Sequence, residues 1–317
     1  MGLSGPSPFW RESEAPLDPG KFKDPLITAK AQRRAHVRLE QLKTLWLNTG
    51  TLCNLACKTC YIESSPRNDA LVYLKLSEAE DYLDEARAMG TVEIGFTGGE
   101  PFMNPDIISM LETSLDRGFE VLVLTNAMRP MRRFEQPLLK LQTRFGARLT
   151  LRVSVDHHSR EVHEAERGRG SWHKTIDGLA WLSANGFSLA VAGRALPGES
   201  ESDARSGYAA LFRELGVAID AGLLIFPQMD VTADVPEISE DCWAILDVAP
   251  SSLMCASSRM VVKRKGAMEP EVIACTLLPY DEEFSLGRTL RDASGEVALN
   301  HPHCARFCVL GGASCSA

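Results

Sequence analysis

Cys53, Cys57 and Cys60 stand on one short run, Cys-Asn-Leu-Ala-Cys-Lys-Thr-Cys. Three thiolates on such a loop can hold three irons of a [4Fe–4S] cube and leave the fourth iron without a protein ligand. An iron in that state offers a coordination site to a substrate or cofactor. A zinc ion would ask for a fourth protein ligand, which His157 or His158 would have to bring from another strand end. The sequence holds nine cysteines, an odd number, and its first residues lack the basic-then-apolar order of an export signal. The thiols therefore read as metal-binding or catalytic in a reducing cytoplasm. No cysteine lies between Cys60 and Cys242, and five (Cys255, Cys275, Cys304, Cys308 and Cys315) crowd the last 63 residues. Cys255 and Cys275 flank two short apolar runs around a Lys-Gly turn, and Cys304 and Cys308 share a helical face by i,i+4 spacing. Cys242, beside Trp243 in an apolar helical pattern, reads as a core thiol.

Such residues need a frame. Apolar runs at Thr44–Asn48, Val92–Phe96, Glu120–Thr125, Leu149–Val155, Leu189–Ala192 and Ala218–Phe226 read as strands. Between them lie helical patterns, the first opened by a capping box at Ser77–Glu80 and several closed by glycine. The others are Pro105–Arg117, Phe134–Phe145, Ser171–Asn185 and Ser202–Leu215. Strands alternating with helices predict an α/β protein with a parallel sheet, a partial (β/α)6 barrel whose functional residues sit at the C-terminal strand ends. Residues 27–43 read as a polar helix and Ile238–Val248 as one more helix. Met260–Lys263 and Val272–Ala274 read as two short strands. The expected organisation is an N-terminal arm and helix (1–43), the barrel (44–235) and a small cysteine-bearing appendage (236–317).

The first cysteine run follows the first predicted strand, and the second strand runs into Phe96-Thr97-Gly98-Gly99-Glu100-Pro101. In that order and spacing the two motifs resemble those of the radical SAM superfamily, over roughly residues 44–230. The resemblance implies that Cys53, Cys57 and Cys60 hold a [4Fe–4S] cluster. It also implies that Gly98, Gly99, Glu100 and Pro101 bind S-adenosylmethionine, with Glu100 as acceptor for its ammonium. Asn126, Ser154, Asp156 and Arg167 are further cofactor-binding candidates, Arg167 suiting a carboxylate by its planar fork. Two positions depart from the family pattern: Ala127 stands where Thr-Asn-Gly is common, and Thr59 stands where the residue before the third cysteine is usually aromatic or His, with Tyr61 adjacent. The C-terminal cysteines resemble a twitch/SPASM-like domain. This implies one auxiliary [4Fe–4S] cluster held by Cys255, Cys275, Cys304 and Cys308. Cys315 is the alternative fourth ligand, His303 another candidate, and zinc on the same thiols the competing reading.

The net charge of −8 and pI near 5.5 argue against nonspecific nucleic-acid binding and against an anionic membrane surface. No apolar run is long enough to span a bilayer. The resemblance thus implies a cytoplasmic enzyme, an oxidoreductase that reductively cleaves S-adenosylmethionine to a 5′-deoxyadenosyl radical. The radical would take hydrogen from a small-molecule or peptide substrate, with net oxidation through the auxiliary cluster. A reductant such as flavodoxin or ferredoxin is implied. A maturase of a ribosomally made peptide or protein is the alternative, and a non-catalytic iron–sulfur electron-transfer protein the alternative of another class. No catalytic acid or base is assignable; Tyr208, Glu199, Gln228 and Asp230 lie near strand ends and read as structural or solvated.

Overall fold

The computed structural model describes residues 15–194, 196, 198–219, 222–226 and 232–314; Cys315, Gln228 and Asp230 lie outside them. An irregular segment leads to β1 (His36–Val37) and β2 (Thr44–Asn48). Then come α1 (Leu76–Ala88), β3 (Glu93–Thr97), α2 (Ile107–Asp116), β4 (Glu120–Thr125), α3 (Arg129–Arg132) and α4 (Glu135–Phe145). They are followed by β5 (Leu149–Ser154), α5 (Arg160–Arg167), α6 (Ser171–Ala184), β6 (Ser188–Arg194), α7 (Glu201–Leu215) and β7 (Leu223–Phe226). The C-terminal part holds α8 (Cys242–Leu246), β8 (Ser258–Val262), β9 (Glu271–Ile273), β10 (Val297–Ala298) and a π-helical turn at Cys304–Val309.

Strands β2 to β7 pair in parallel and in chain order, which is the expected partial (β/α)6 arrangement. Period-2 alternation separates two faces. On β5 and the residues after it, Leu149, Leu151, Val153 and Val155 pack in the core beneath the helices, while Arg152, Ser154 and Asp156 face the barrel interior.

Two expectations are corrected. Residues 27–43 form no helix. That segment is held extended by the buried Arg34, whose guanidinium reaches Glu237 at 2.6 Å and the carbonyls of Asp24, Ile27 and Leu299. β1 then pairs with β10, so tertiary partners override a helix propensity that had no apolar stripe behind it. Ser77 is not the cap of α1. The helix starts at Leu76, Glu78 reaches back to the Lys75 N–H, and Asp106 takes the Leu76 N–H. The cysteine-bearing segment 236–317 joins the barrel sheet: β8 pairs in parallel with β2, and β9 follows antiparallel. The Ile238–Val248 helix shortens to α8, and α3 and α5 had no periodic signal to announce them.

Candidate cluster and cofactor sites

The loop after β2 carries the first three cysteines into a cavity at the C-terminal strand ends that encloses about 1110 Å³ of atom-free space. Cys53, Cys57 and Cys60 line it together with Gly98, Gly99, Thr125, Asn126, Ser154, Asp156 and Arg167. No fourth cysteine and neither His157 nor His158 does so among the described residues. Burial, with Glu100 nearby, pushes the Cys53 thiol up to about 12, and burial raises Cys57 as well. Such thiols ionise when a metal ion takes the proton's place. The donor set, three converging thiols beside open space, fits a [4Fe–4S] cluster with one uncommitted iron.

The loop is clamped by polar contacts. Glu166 of α5 accepts from the Thr59 hydroxyl at 2.9 Å and offers its carbonyl to the Lys58 N–H. Arg194, at the end of β6, donates to the Thr59 carbonyl at 3.1 Å. Thr59 is thus a tether, and Tyr61 lines the cavity. Arg194 and Arg152 were not among the sequence candidates; the inward register of β5 and β6 was the available signal.

The glycines of the second motif have a structural reason. Gly98 sits at φ +137°, and a Cβ there would come within 2.5 Å of the Gly50 carbonyl oxygen. At Gly99 it would come within 2.2 Å of the Leu52 oxygen. The backbones join directly, Gly99 N–H to Gly50 O at 2.7 Å and Glu100 N–H to Leu52 O at 3.1 Å. The two motif loops therefore position each other. Glu100 and Pro101 are buried behind the cavity wall. The Glu100 carboxylate accepts from the Thr125 hydroxyl at 2.8 Å, the Asn126 N–H at 2.9 Å and the Phe102 N–H at 3.3 Å. Burial still wins and pushes its pKa up to about 7. Ala127 holds a left-handed φ of 57°, the conformation a glycine adopts without strain.

Asp156 and Arg167 meet each other. Arg167 donates Nε–H and Nη2–H to the two Asp156 oxygens at 2.7 and 3.2 Å, and Arg194 adds a contact at 3.3 Å. Burial works against the Asp156 charge, but Arg167 and then Arg194 outweigh it and hold the carboxyl at about 2. Two of the five guanidinium N–H groups of Arg167 are used, leaving others for a ligand.

His157, His158 and Glu199 form a separate group, both imidazoles reaching one Glu199 oxygen at 3.3 and 3.2 Å. The Ser159 N–H donates to His157 Nδ1 at 2.9 Å. Nδ1 is therefore the bare nitrogen and Nε2 carries the proton, the reverse of what a metal on Nε2 requires. The group is a hydrogen-bonded latch. The Tyr208 hydroxyl is structural too, donating to the Val155 carbonyl at 2.6 Å.

The second thiol group comes from three places. Cys255 precedes β8, Cys275 follows β9, and Cys304 and Cys308 ride the π-helical turn. All four line one enclosed, mostly apolar cage of about 390 Å³ of atom-free space, with His303 in its wall. Burial pushes Cys304 to about 12 and Cys255 to about 11. Four thiols in an apolar cage fit a fully ligated cluster or a tetrahedral zinc by donor count. Cys242 lines neither site and packs near Ser239. Leu277 belongs to the walls of both the cage and the large cavity. Phe307, between Cys304 and Cys308 in sequence, lines the cavity. The Tyr280 hydroxyl, near Cys275, donates to the Ile62 carbonyl at 2.6 Å and accepts from Asn68 at 3.1 Å, tying the C-terminal part to the first loop.

Known proteins fall in line with this geometry. The family model of the Radical SAM superfamily matches residues 47–206. The antilisterial bacteriocin subtilosin biosynthesis protein AlbA of Bacillus subtilis is 33% identical over 141 residues, 44% of this chain and 30% of that protein. The mycofactocin maturase MftC of Mycobacterium ulcerans is 28% identical over 136 residues, 43% of this chain and 35% of that protein. The match thus spans about a third of the length of these relatives. In fold, the chain is similar to Streptococcus suis SuiB bound to S-adenosylmethionine, with TM-score 0.59 and 12% identity over 78% of this chain and 63% of that one. It is also similar to anSMEcpe with bound AdoMet, with TM-score 0.57 and 13% identity over 79% of each chain. No helix among the described residues is long and apolar enough to cross a membrane.

Proposed function

Because this chain belongs to the radical SAM superfamily, we propose that it is an enzyme that cleaves S-adenosylmethionine reductively and draws hydrogen from a peptide or small-molecule substrate. The observation that carries this reading is the open three-thiol site: Cys53, Cys57 and Cys60 line a cavity with room for a ligand, and no fourth thiol joins them among the described residues. Cys53, Cys57 and Cys60 would hold a [4Fe–4S] cluster that, when reduced, would supply the electron for reductive cleavage of S-adenosylmethionine. The protein's part is to hold and shield. Thr59, Glu166 and Arg194 fix the cysteine loop, and the abutting Gly98–Gly99 backbone sets the depth of the cavity. The buried Glu100, within the second motif loop, carries a carboxylate suited to an ammonium. The free N–H groups of Arg167 suit the methionine carboxylate, while Asp156 keeps that guanidinium aimed.

A peptide maturase is the substrate reading we favour, since the relatives include a bacteriocin biosynthesis protein and mycofactocin maturases. The oxidative outcome rests on the four-thiol cage. Leu277 stands in the wall of both sites, so a cluster in the cage would lie close enough to the cavity to take the electron left on an oxidised substrate. The test is anaerobic reconstitution, dithionite reduction and addition of S-adenosylmethionine. Formation of 5′-deoxyadenosine in the wild type and its absence in Cys57→Ala support the proposal. Reconstituted protein that holds iron and never cleaves the cofactor would sink it.

A further inference from the structure

The cysteine loop has a second face. Next to the cofactor cavity, sharing Arg167 with it, lies an open groove whose walls include Asn54 and Leu55 of that loop. Arg129, Arg133, Arg169 and Lys174 also line it, all four exposed. No carboxylate lines the groove among the described residues, and none of these four cations makes an ion pair there. Neighbouring cations do: Arg132 pairs with Glu135, and Arg144 with Glu112 and Asp116. In a chain of net charge −8, an uncompensated positive concavity is a local reversal of field that attracts an anionic partner and raises its encounter rate.

The partner's chemistry follows from what the groove touches. The Leu55 N–H donates to Cys53 Sγ at 3.4 Å. One hydrogen bond therefore links the groove surface to a thiol that, on the function proposed above, ligates the reducible cluster. Substrate atoms that give up hydrogen must reach the cavity on the other side, and the loop and Arg167 stand between. We infer that this groove docks an acidic one-electron carrier protein, its negative rim on Arg129, Arg133, Arg169 and Lys174, and that the electron enters through the Leu55–Cys53 wall. The step balances simply. The carrier's flavin or iron–sulfur centre is oxidised by one electron, the cluster is reduced by one, and no bond or proton changes place.

The experiment compares reconstituted wild type with the triple variant Arg129→Glu, Arg133→Glu, Lys174→Glu, after iron content and S-adenosylmethionine affinity are shown to match. Stopped-flow bleaching of the cluster absorbance is followed with reduced acidic flavodoxin, and separately with titanium(III) citrate. The expected result is a flavodoxin rate that drops steeply with added NaCl in the wild type. In the variant it should be at least ~10-fold slower at low salt and nearly salt-independent. The titanium rate should be the same in both. Equal flavodoxin rates in the two proteins overturn the docking inference, as does a variant-sensitive affinity for poly-glutamate with an unchanged flavodoxin rate, which would assign the groove to an acidic peptide. Wild-type protein that holds no first cluster overturns the proposed function itself, a separate and visible outcome.

Discussion

The two cysteine sites differ in how the chain builds them. Cys53, Cys57 and Cys60 come from one loop, face a large cavity and are steadied from outside by Thr59, Glu166 and Arg194. Cys255, Cys275 and the Cys304–Cys308 turn come from separate stretches and meet in a small apolar cage with His303 in its wall, and Arg259 donates to the Cys255 carbonyl beside it at 2.6 Å. A loop that others hold can exchange ligands without disturbing the fold. A cage whose walls are the three stretches themselves cannot lose its occupant without loosening them. On the function proposed above, turnover belongs to the first site and retention to the second.

The largest break in that comparison is a lost ligand in the first site. Cys53→Ala should abolish 5′-deoxyadenosine formation and lower iron from about eight to about four per chain, four per cube, with little change in melting temperature. Iron assay, product chromatography and calorimetry read all three. Cys304→Ala should do the converse: cofactor cleavage persists with dithionite, oxidised product is lost, and the melting temperature falls, because three segments lose their common anchor. A folded Cys304→Ala protein that makes product at the wild-type rate would reduce the cage to a staple. A third measurement sharpens the cofactor side. The Glu100 carboxyl sits at about 7 through burial, and an ammonium placed beside it favours the ionised form. Binding then expels a proton below that pH. Affinity for S-adenosylmethionine should be flat above about 7 and weaken below it, by up to roughly tenfold per pH unit; Glu100→Gln should be weaker and flat, as calorimetric titration across pH would show. The smallest effect is expected at the link between the sites. Tyr280→Phe removes the bonds to Ile62 and Asn68 at about 1 kcal/mol, and should lower the melting temperature by roughly 2 °C while leaving iron content unchanged.

The same contrast explains what could be read from the sequence. The first site is local: a strand, a cysteine run and a glycine turn sit at fixed spacing, so the six barrel strands and the site-bearing loops are visible in the chain. β2 and β4 have the expected bounds, and β3, β5 and β6 differ by one or two residues. The second site is distributed: its four cysteines and two short strands were legible, but not how they meet. The parallel seam between β2 and β8, the π-helical turn and the wall shared through Leu277 arise from pairing across the whole chain, which periodicity does not report. Arg34 shows the reverse failure. It stands in a run of good helix formers, yet its buried bond to Glu237 decides the backbone. Arg194 was missed because its role comes from the carbonyl it meets, Thr59 O, on a loop far away in sequence.

The seam between β2 and β8 also sets an order of assembly. Thr44 pairs with Ser258 and Trp46 with Met260, so the first strand of the barrel waits for one of the last to be synthesised. Until then β2 presents an unpaired edge bearing the large apolar Trp46, a template for association between nascent chains. Closing so long a loop comes late in folding because its entropy must be met before the contact is gained. A chain cut after residue 235 would keep Cys53, Cys57 and Cys60 and still aggregate. In the whole protein, Trp46, fully buried, would report by its fluorescence the last event of folding.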